Sequence, residues 1–570
     1  MSHAQSMAHA AATAGAMSLN PTSDQPTIAD YLIRRLQDYG IGHVFGIPGD
    51  YVLSFYNVLE ASPLEIVGCC REDSAGFAAD AYARVHGMGA VCVTYCVGGF
   101  SLCNSIAGAF AETSPVVVIT GSPGLAEREK NPPLHHRVGD FDTQRQVFAK
   151  ICAATTVLDD PPTAAREIDR VLATAARQKR PVYIEIPRDM VGANPGHLPA
   201  TPIAPPQSDP DTLSEAADEA KRMISASEKP VIVAGVEIHR YGLQSELLAL
   251  AERSGIPITT MMLGKSVIRE THPLYAGMYE GHVGSEATSH FVEDSDCVIL
   301  LGTFRTDIDR FVYGGLLEAD KCVLATNDVV QIRHHHYHDV RLDDFIRELT
   351  RLGPTPPRRK PPTDVPARQP APPLQIQPDA PISVSRMITR LNELLDEKSI
   401  VIADVGDSMF AATDLVIREQ TEFLSSAFYT SMGFSVPAAI GAQTARPDLR
   451  PVVIVGDGAF QMTGMELSTA VRRGYNPIVL VLDNRGYGTE RLLHPGDHAY
   501  NDIQPWNYYQ VPALVGGGVG RRVATEGELD AALSEAFADT SQLHLVQVVL
   551  PHDEASDVLR RLADNLAPHV

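Results

Sequence analysis

Residues 451–490 constrain the fold most, because they read as a strand, a helix and a second strand. The runs PVVIVG and NPIVLVLDN are short, apolar and rich in β-branched residues, and the QMTGMELSTAVRR between them has helical spacing. Such a βαβ unit makes its two strands parallel, so Asp457 and Asn484 follow two carboxyl ends on one sheet edge. Open parallel sheets bind their ligands at that edge. The stretch therefore predicts a parallel α/β sheet and the place of its ligand.

The residue types at these strand ends favour a magnesium diphosphate as that ligand. A carboxylate, an amide oxygen and a loop carbonyl are hard oxygen donors that suit Mg²⁺ sharing phosphate oxygens and keeping a water. The glycines of GDG at 456–458 let a diphosphate approach the backbone where the next helix begins. Asp, Asn and Gly are also ordinary turn residues. Their placement at two matching strand ends, one helix apart, favours the ligand site over a plain turn.

Two Pro-rich stretches, 191–211 and 353–381, divide the 570 residues and are predicted to be extended linkers. The segments between them alternate helices with near-continuous apolar strands, which are typical of sheets buried on both faces. We predict three doubly wound parallel-sheet α/β domains. The predicted order is a disordered tail 1–25, an N-terminal domain 26–190, the linker 191–211, a middle domain 212–352, the linker 353–381 and a C-terminal domain 382–570. No dinucleotide fingerprint follows any predicted strand, and GGGVG at 516–520 is predicted to be a turn.

Composition narrows the possible partners and the compartment. With 44% hydrophobic and 21% charged residues the chain is typical of soluble globular proteins, and its net charge of −23 argues against nucleic acid or an anionic membrane as a partner. No apolar run approaches the length of a membrane span, and the N-terminus lacks the features of a signal peptide. Cys69, Cys92, Cys96 and Cys297 lie in or beside apolar strands without metal-site spacing. We therefore expect reduced core thiols in a cytoplasmic protein.

The strand-end residues Gly456, Asp457, Gly458 and Asn484 resemble the motif that binds the diphosphate in thiamine diphosphate enzymes. That motif is GDG followed, one helix and one strand later, by Asn. The resemblance implies two cofactors, thiamine diphosphate and Mg²⁺. It also implies that Asp457, Asn484 and the backbone carbonyl of Gly486 hold the metal.

Glu72 is the candidate for the other half of the site. It follows the apolar strand EIVGCC and begins an Ala-rich helix that ends in AYAR at 81–84. On physical grounds alone, a first-turn glutamate indicates only stabilisation of a helix N-terminus. In the thiamine enzymes a Glu at this strand end activates the pyrimidine of a cofactor that is held by another subunit. The resemblance thus implies that Glu72 is catalytic and cofactor-binding, and that the protein is at least a homodimer, with a homotetramer expected.

Four landmarks make the chain similar to the pyruvate, indolepyruvate and branched-chain 2-oxo acid decarboxylases. They are FGIPGDY with Asp50, LHHRVGDF with His135 and His136, GYGTE with Glu490, and YNDIQPWNY at 500–508. Each one alone indicates no more than a turn, a loop or a surface residue, whereas four in family order are specific. The resemblance implies non-oxidative conversion of a 2-oxo acid to an aldehyde and CO₂.

This reaction explains the residue types at the landmarks. Loss of CO₂ is helped by a dry pocket, and the following protonation needs acids and bases that work near neutral pH. Histidine and clustered carboxylates are such groups. Asp50, His135, His136 and Glu490 are therefore the candidate catalytic residues together with Glu72.

Further positions carry over from the resemblance. The remaining cofactor contacts are Gly406, Asp407, Thr430, Met432, Gly458 and Ala459. The implied substrate pocket comprises Met409, Phe410, Thr489, Leu493, Leu562 and Leu566. Thr489 is smaller than the isoleucine of strict pyruvate enzymes, so we expect a larger 2-oxo acid, branched or aromatic. Arg305 at an entry channel would suit a dicarboxylate, although a surface arginine is the simpler interpretation.

Other functions remain open from the sequence. Glu72 is followed by Asp-Ser, as in acetolactate synthases, although those carboligases lack the His pair. A strict pyruvate decarboxylase shares every landmark, and a non-catalytic relative is disfavoured because Glu72, Asp457 and Asn484 are all present. Val405, Ala459, Arg485 and a shortened His-pair loop depart from the decarboxylase pattern and indicate a divergent member.

Overall fold

The protein is described by a computed structural model that covers residues 26–196, 198, 206–281, 284–304, 306, 318–357, 365–366, 373–418 and 423–566. The predicted tail 1–25 and Arg305 lie outside these residues. Three separate sheets, each flanked by helices, confirm the predicted α/β class. No helix in the described part of the chain is both long enough and apolar enough to cross a membrane.

The first sheet has six parallel strands. They are β1 (His43–Gly46), β2 (Glu65–Gly68), β3 (Gly89–Val93), β4 (Val116–Ser122), β5 (Ala154–Val157) and β6 (Val182–Pro187). Its helices are α1 (Ile28–Asp38), α2 (Leu53–Glu60), α3 (Glu72–His86), α4 (Val97–Ser101), α5 (Cys103–Ala111), α6 (Leu125–Arg128), α7 (Thr143–Ile151) and α8 (Pro161–Gln178). The strand order is β2-β1-β3-β4-β6-β5. Strands β3, β4 and β6 are buried along their whole length, as apolar parallel strands covered on both faces must be.

The middle sheet has seven strands and departs from the predicted all-parallel pattern. Its strands are β7 (Pro230–Ala234), β8 (Ile258–Thr260), β9 (Tyr275–Met278), β10 (Cys297–Leu301), β11 (Cys322–Ala325), β12 (Val330–Ile332) and β13 (His335–Tyr337). The helices are α9 (Pro210–Ala226), α10 (Val236–Arg240), α11 (Gln244–Ser254), α12 (Glu286–Glu293) and α13 (Leu342–Leu352), with 3₁₀ turns at Met262–Gly264 and Ala319–Lys321. Strands β12 and β13 pair antiparallel at one edge, because short turns connect β11, β12 and β13 in place of crossover helices.

The third sheet repeats the topology of the first. Its six parallel strands are β14 (Ser399–Ala403), β15 (Phe423–Ser425), β16 (Arg450–Gly456), β17 (Ile478–Asp483), β18 (Val519–Val523) and β19 (His544–Val549). Its helices are α14 (Val384–Leu394), α15 (Asp407–Ala412), α16 (Ser435–Ala445), α17 (Asp457–Thr463), α18 (Leu467–Arg473), α19 (Gly488–Leu493), α20 (Val511–Leu514), α21 (Glu526–Ala538) and α22 (Asp557–Leu566), with 3₁₀ turns at Gly464–Glu466, Ala499–Asn501 and Tyr508–Gln510. The order β15-β14-β16-β17-β19-β18 matches the first sheet strand for strand.

The apolar runs of the sequence do not indicate six of the strands, most of which lie at sheet edges: β5, β9, β12, β13, β15 and β18. β5 and β18 are partly exposed edge strands, so their residues do not form a continuous apolar run. The predicted turn at 516–520 is wrong in its second half, because Val519 and Gly520 begin β18. The single helix predicted for QMTGMELSTAVRR is interrupted by the 3₁₀ turn Gly464–Glu466.

Helix α3 of the first domain packs directly against helix α16 of the third. At Gly441 on α16 an added Cβ would lie 1.9 Å from the carbonyl oxygen of Ala78 on α3. Only glycine permits this approach, because the obstructing atom is backbone and cannot rotate away. The contact fixes how the first and third domains face each other.

Replacing this glycine tests the contact. We expect Gly441→Ala to lower the free energy of unfolding by about 1–3 kcal/mol through overpacking, even though alanine favours helix. The urea midpoint would measure it. Gly192→Ala is the control, since nothing lies within 4 Å of a Cβ added at that position, and it should change stability by less than about 0.5 kcal/mol. Equal midpoints for the two variants would contradict the close helix contact.

Candidate active site

A cavity of about 400 Å³ opens at the carboxyl ends of β14, β16 and β17. Its walls are the segments that follow these strands, together with Thr430 and Met432 after β15, Leu550 and Glu554 after β19, and Leu562 from α22. The strand order reverses between β14 and β16, and such a reversal is where open parallel sheets leave room for a ligand. The cavity thus lies at the edge to which the strand-helix-strand stretch pointed.

Most of the predicted C-terminal site residues line this one cavity. They are Gly406, Asp407, Met409, Phe410, Thr430, Met432, Asp457, Gly458, Ala459, Asn484, Gly486, Thr489, Glu490 and Leu562. Leu493, at the end of α19, is not among the described residues that line it, and for Leu566 only the backbone is described. Reasoning from the sequence missed Tyr487 and Glu554, although the position of Glu554 just past β19 was a usable signal.

The oxygen donors at the base of the cavity fit a divalent cation. The buried Asp457 carboxylate accepts hydrogen bonds from the N–H of Gly458 at 2.7 Å and of Gly486 at 3.1 Å. Burial raises the pKa of Asp457 to about 7. A bound cation would counter this effect, because it favours the ionised carboxylate. Asn484 also lines the cavity, and an added Cβ at Gly488 would come within 2.6 Å of the Asn484 amide nitrogen. Carboxylate and amide oxygens are the donors that Mg²⁺ prefers.

Glycines leave the backbone open where a diphosphate would bind. Gly406 adopts a φ of +88° between β14 and α15, a conformation that other residues rarely adopt. At Gly458 an added Cβ would lie 2.7 Å from the Tyr487 ring, whereas Gly456 faces open space. These features fit a bound diphosphate.

The side chain of Asp407 has a structural partner that the sequence did not indicate. Its carboxylate accepts hydrogen bonds from the backbone N–H of Ser556, at 2.9 Å, and from the Ser556 hydroxyl. Burial raises its pKa. Asp407 therefore anchors the segment that leads into α22, the helix that brings Leu562 to the cavity.

Glu490 lies in the first turn of α19, where it lines the cavity and remains exposed in the single chain. Arg491, beside it, forms an ion pair with Asp502 at 2.9 Å and donates to the backbone carbonyl of Asn484 at 3.1 Å. The N–H of Tyr487 donates to the carbonyl of Asn501 at 2.9 Å. The YNDI landmark therefore has a structural role, because it holds the loop that joins Asn484 to Glu490.

A second group of candidate residues assembles on the first domain. His135 Nε2 lies 2.6 Å from the Asp50 carboxylate, and one nitrogen or oxygen of each of Asp50, His135 and His136 lies within 4.8 Å of the others. Tyr51 stacks on the His135 ring with centroids 4.7 Å apart. His136 has a φ of +64°, which turns the chain sharply after His135. The structure thus joins three predicted catalytic residues that come from two separate segments of the sequence.

Glu72 belongs to neither group within one chain. It is the first residue of α3, is half-buried, and follows an N-cap, Arg71, that makes no side-chain cap. Among the described residues, neither Glu72 nor the Asp50–His135–His136 cluster lines the cavity of the third domain. A single chain therefore presents two separate half-sites: the third-domain half-site is the cavity, and the first-domain half-site comprises Glu72 and the Asp50–His135–His136 cluster.

Comparison with known proteins identifies the family of each domain. The N-terminal thiamine pyrophosphate-binding domain of thiamine pyrophosphate enzymes matches residues 26–145, their central domain matches 217–350, and their C-terminal thiamine pyrophosphate-binding domain matches 404–548. The chain is 37% identical over 546 residues to an indole-3-pyruvate decarboxylase of Azospirillum brasilense, covering 94% of this chain and 97% of the relative.

Two mycobacterial relatives extend this likeness. An alpha-keto-acid decarboxylase of Mycobacterium bovis is 34% identical over 552 residues, which is 95% of this chain and 97% of the relative. One of Mycobacterium ulcerans is 32% identical over 550 residues, with 95% and 96% covered. The chain belongs to the thiamine diphosphate-dependent 2-oxo acid decarboxylases.

Proposed function

We propose that this protein converts a larger 2-oxo acid, with a branched or aromatic side chain, to an aldehyde and CO₂. The observation that carries the proposal is one cavity that Asp457, Asn484 and Glu490 line together with the apolar Met409 and Leu562. The names of the relatives, indole-3-pyruvate and alpha-keto-acid decarboxylase, support a substrate larger than pyruvate. They do not favour a carboligase or a strict pyruvate decarboxylase.

The cavity residues divide between cofactor and substrate in this proposal. When bound, thiamine diphosphate supplies a nucleophilic carbon and accepts the electron pair that leaving CO₂ releases. Asp457, Asn484 and the carbonyl of Gly486 would hold Mg²⁺. The backbone at 456–458 and at Gly406 would contact the diphosphate.

Glu490 and the first-domain cluster would handle the protons. Glu490 shares the cavity wall with apolar side chains, where its carboxyl group would exchange a proton with the bound substrate. Asp50 accepts from His135 Nε2 at 2.6 Å and so holds the imidazole in one orientation. Exclusion of water by the apolar lining would favour loss of the substrate carboxylate as CO₂.

We infer that the complete site lies between subunits of a homodimer, within a homotetramer. In the arrangement implied by the resemblance, the first-domain half-site of one chain meets the third-domain half-site of another. A complete site therefore needs a second copy of the chain. Large apolar side chains stay exposed on the third domain of the single chain: Met432, in the cavity wall, is 37% exposed, and Met465, just past α17, is 42% exposed. Exposed apolar surface of this kind is typical of an interface. A cytoplasmic location remains a prediction from the buried thiols Cys92, Cys96 and Cys297.

A substrate panel tests the proposed function. Protein reconstituted with thiamine diphosphate and Mg²⁺ should release aldehyde from indolepyruvate, phenylpyruvate or branched-chain 2-oxo acids with a higher kcat/KM than from pyruvate. Aldehyde is measured through a coupled alcohol dehydrogenase. Thr489→Ile should narrow the pocket and shift the kcat/KM ratio towards pyruvate by about 10-fold or more. Absence of aldehyde from every acid would refute the proposal.

The role of Glu490 is tested separately. Glu490→Gln keeps the shape of the side chain but removes its titrating group, so kcat should fall by about 10²–10⁴-fold. The dissociation constant of thiamine diphosphate, measured by calorimetry, should change little. Glu535→Gln is the control, since that carboxylate pairs with Arg521 on the surface of the same domain. Normal turnover of Glu490→Gln would show that this residue is not catalytic.

A further inference from the structure

The segment 426–435, between β15 and α16, forms part of the cavity wall through Thr430 and Met432. Its backbone is unusual. Thr430 has a φ of +54° and Gly433 a φ of +86°, both in the left-handed region. A threonine there costs free energy, so contacts from elsewhere must hold the segment in this conformation.

One such contact comes from the first domain. Glu112, just after α5, is fully buried. One of its carboxylate oxygens accepts hydrogen bonds from the backbone N–H of Phe428 and of Tyr429, each at 2.8 Å. Hydrogen bonds to an ionised carboxylate are stronger than those between neutral groups. The two residues that precede Thr430 are therefore held by a side chain more than 300 positions away in sequence.

A buried arginine supports this carboxylate. Arg84, on α3, lies 2.8 Å from Glu112 and 2.8 Å from Asp80, and donates to the carbonyl of Ser425 at 2.9 Å. A buried charge persists only when it is paired, and here the pairing also holds the end of β15. Arg84 thus holds the end of β15, directly before the segment, while Glu112 contacts the segment itself.

The other end of the segment is held from within the third domain. Asp404, directly after β14, is fully buried. It accepts hydrogen bonds from the N–H of Gly433 at 3.0 Å, from the N–H of Ser435 at 2.9 Å and from the Ser435 hydroxyl at 2.6 Å. Two buried carboxylates therefore bracket Thr430 and Met432.

We propose that Glu112 and Asp404 are positioning residues that hold segment 426–435 in the conformation that binds the cofactor. They act through backbone N–H groups and do not line the cavity. The first domain thereby shapes the cavity of the third domain in its own chain. This role is separate from the residues that it would contribute to the active site of a second subunit. This inference rests on the proposed cofactor site in that cavity.

Hydrogen exchange of the cofactor-free protein directly tests whether Glu112 holds segment 426–435. Glu112→Gln keeps the shape of the side chain and removes its charge, so the amides of Phe428 and Tyr429 should exchange about tenfold faster or more. Peptides covering 426–435, followed by mass spectrometry, report this without any activity measurement. Exchange indistinguishable from that of the unmodified protein would overturn the proposal.

Cofactor affinity gives the second readout. Calorimetry with Mg²⁺ present should show the dissociation constant of thiamine diphosphate rising about tenfold in Glu112→Gln. The kcat at saturating cofactor should stay within about twofold, because no reacting group is removed. An unchanged dissociation constant would likewise contradict the positioning role of Glu112. Failure of the unmodified protein to bind thiamine diphosphate would refute the cofactor site. The exchange experiment would still test whether Glu112 holds the segment.

Two further variants separate positioning from general stability. Asn104→Ala removes an exposed donor that reaches the Ser431 hydroxyl at 2.7 Å, so it should fold normally and show a smaller change of the same kind. Asp169→Asn is the matched control, since this buried carboxylate pairs with Arg35 at 2.7 Å in the first domain, away from the cavity. It should lower the melting temperature and leave both readouts unchanged. Equal effects of Asp169→Asn and Glu112→Gln on affinity would refute a specific positioning role.

Discussion

The packing of α3 against α16 is the contact on which the candidate site depends. Helix α3 begins at Glu72 and carries Arg84 near its end, while α16 begins at Ser435, one of the anchored residues beside the cavity. The approach at Gly441 brings these helices together without an intervening side chain. One helix contact therefore sets the positions of a candidate catalytic carboxylate, a buried ion pair and one wall of the cavity.

The first and third sheets place their chemistry by the same rule. Both have the same strand order, and in both the candidate residues follow the carboxyl ends of strands. In the third domain this edge holds Asp457 and Asn484, which suit the metal of a magnesium diphosphate, and Glu490, which suits proton transfer. In the first domain it holds Asp50, with the His135–His136 loop packed against it. One topology, used twice, thus supplies two chemically different half-sites.

The sequence was most informative where a strand is buried and a ligand residue follows it directly. Asp457 and Asn484 could be placed from the βαβ pattern alone, and Glu72 and Glu490 from resemblance. Short edge strands such as β5 and β18 could not, because half-exposed strands have no continuous apolar signal.

Long-range contacts were also beyond the sequence. The hydrogen bonds from Phe428 and Tyr429 to Glu112 join residues of different domains, and no local pattern encodes such a pairing. The same holds for Asp407, where the resemblance implied a cofactor contact but did not indicate that the carboxylate accepts hydrogen bonds from Ser556. Residue type and strand position predict which groups gather at a sheet edge, whereas only the tertiary structure reveals their partners.

The central claim is that the two half-sites of one chain serve two different active sites. Subunits carrying Glu72→Gln and subunits carrying Glu490→Gln can be co-expressed with different tags and isolated as mixed oligomers. If sites form between subunits, a mixed dimer has one site with both defects and one with neither, so turnover should recover to about half that of the unmodified protein. If both residues of a chain served the same site, every site would carry one defect. Turnover would then stay at the level of the single variants, which would contradict the account.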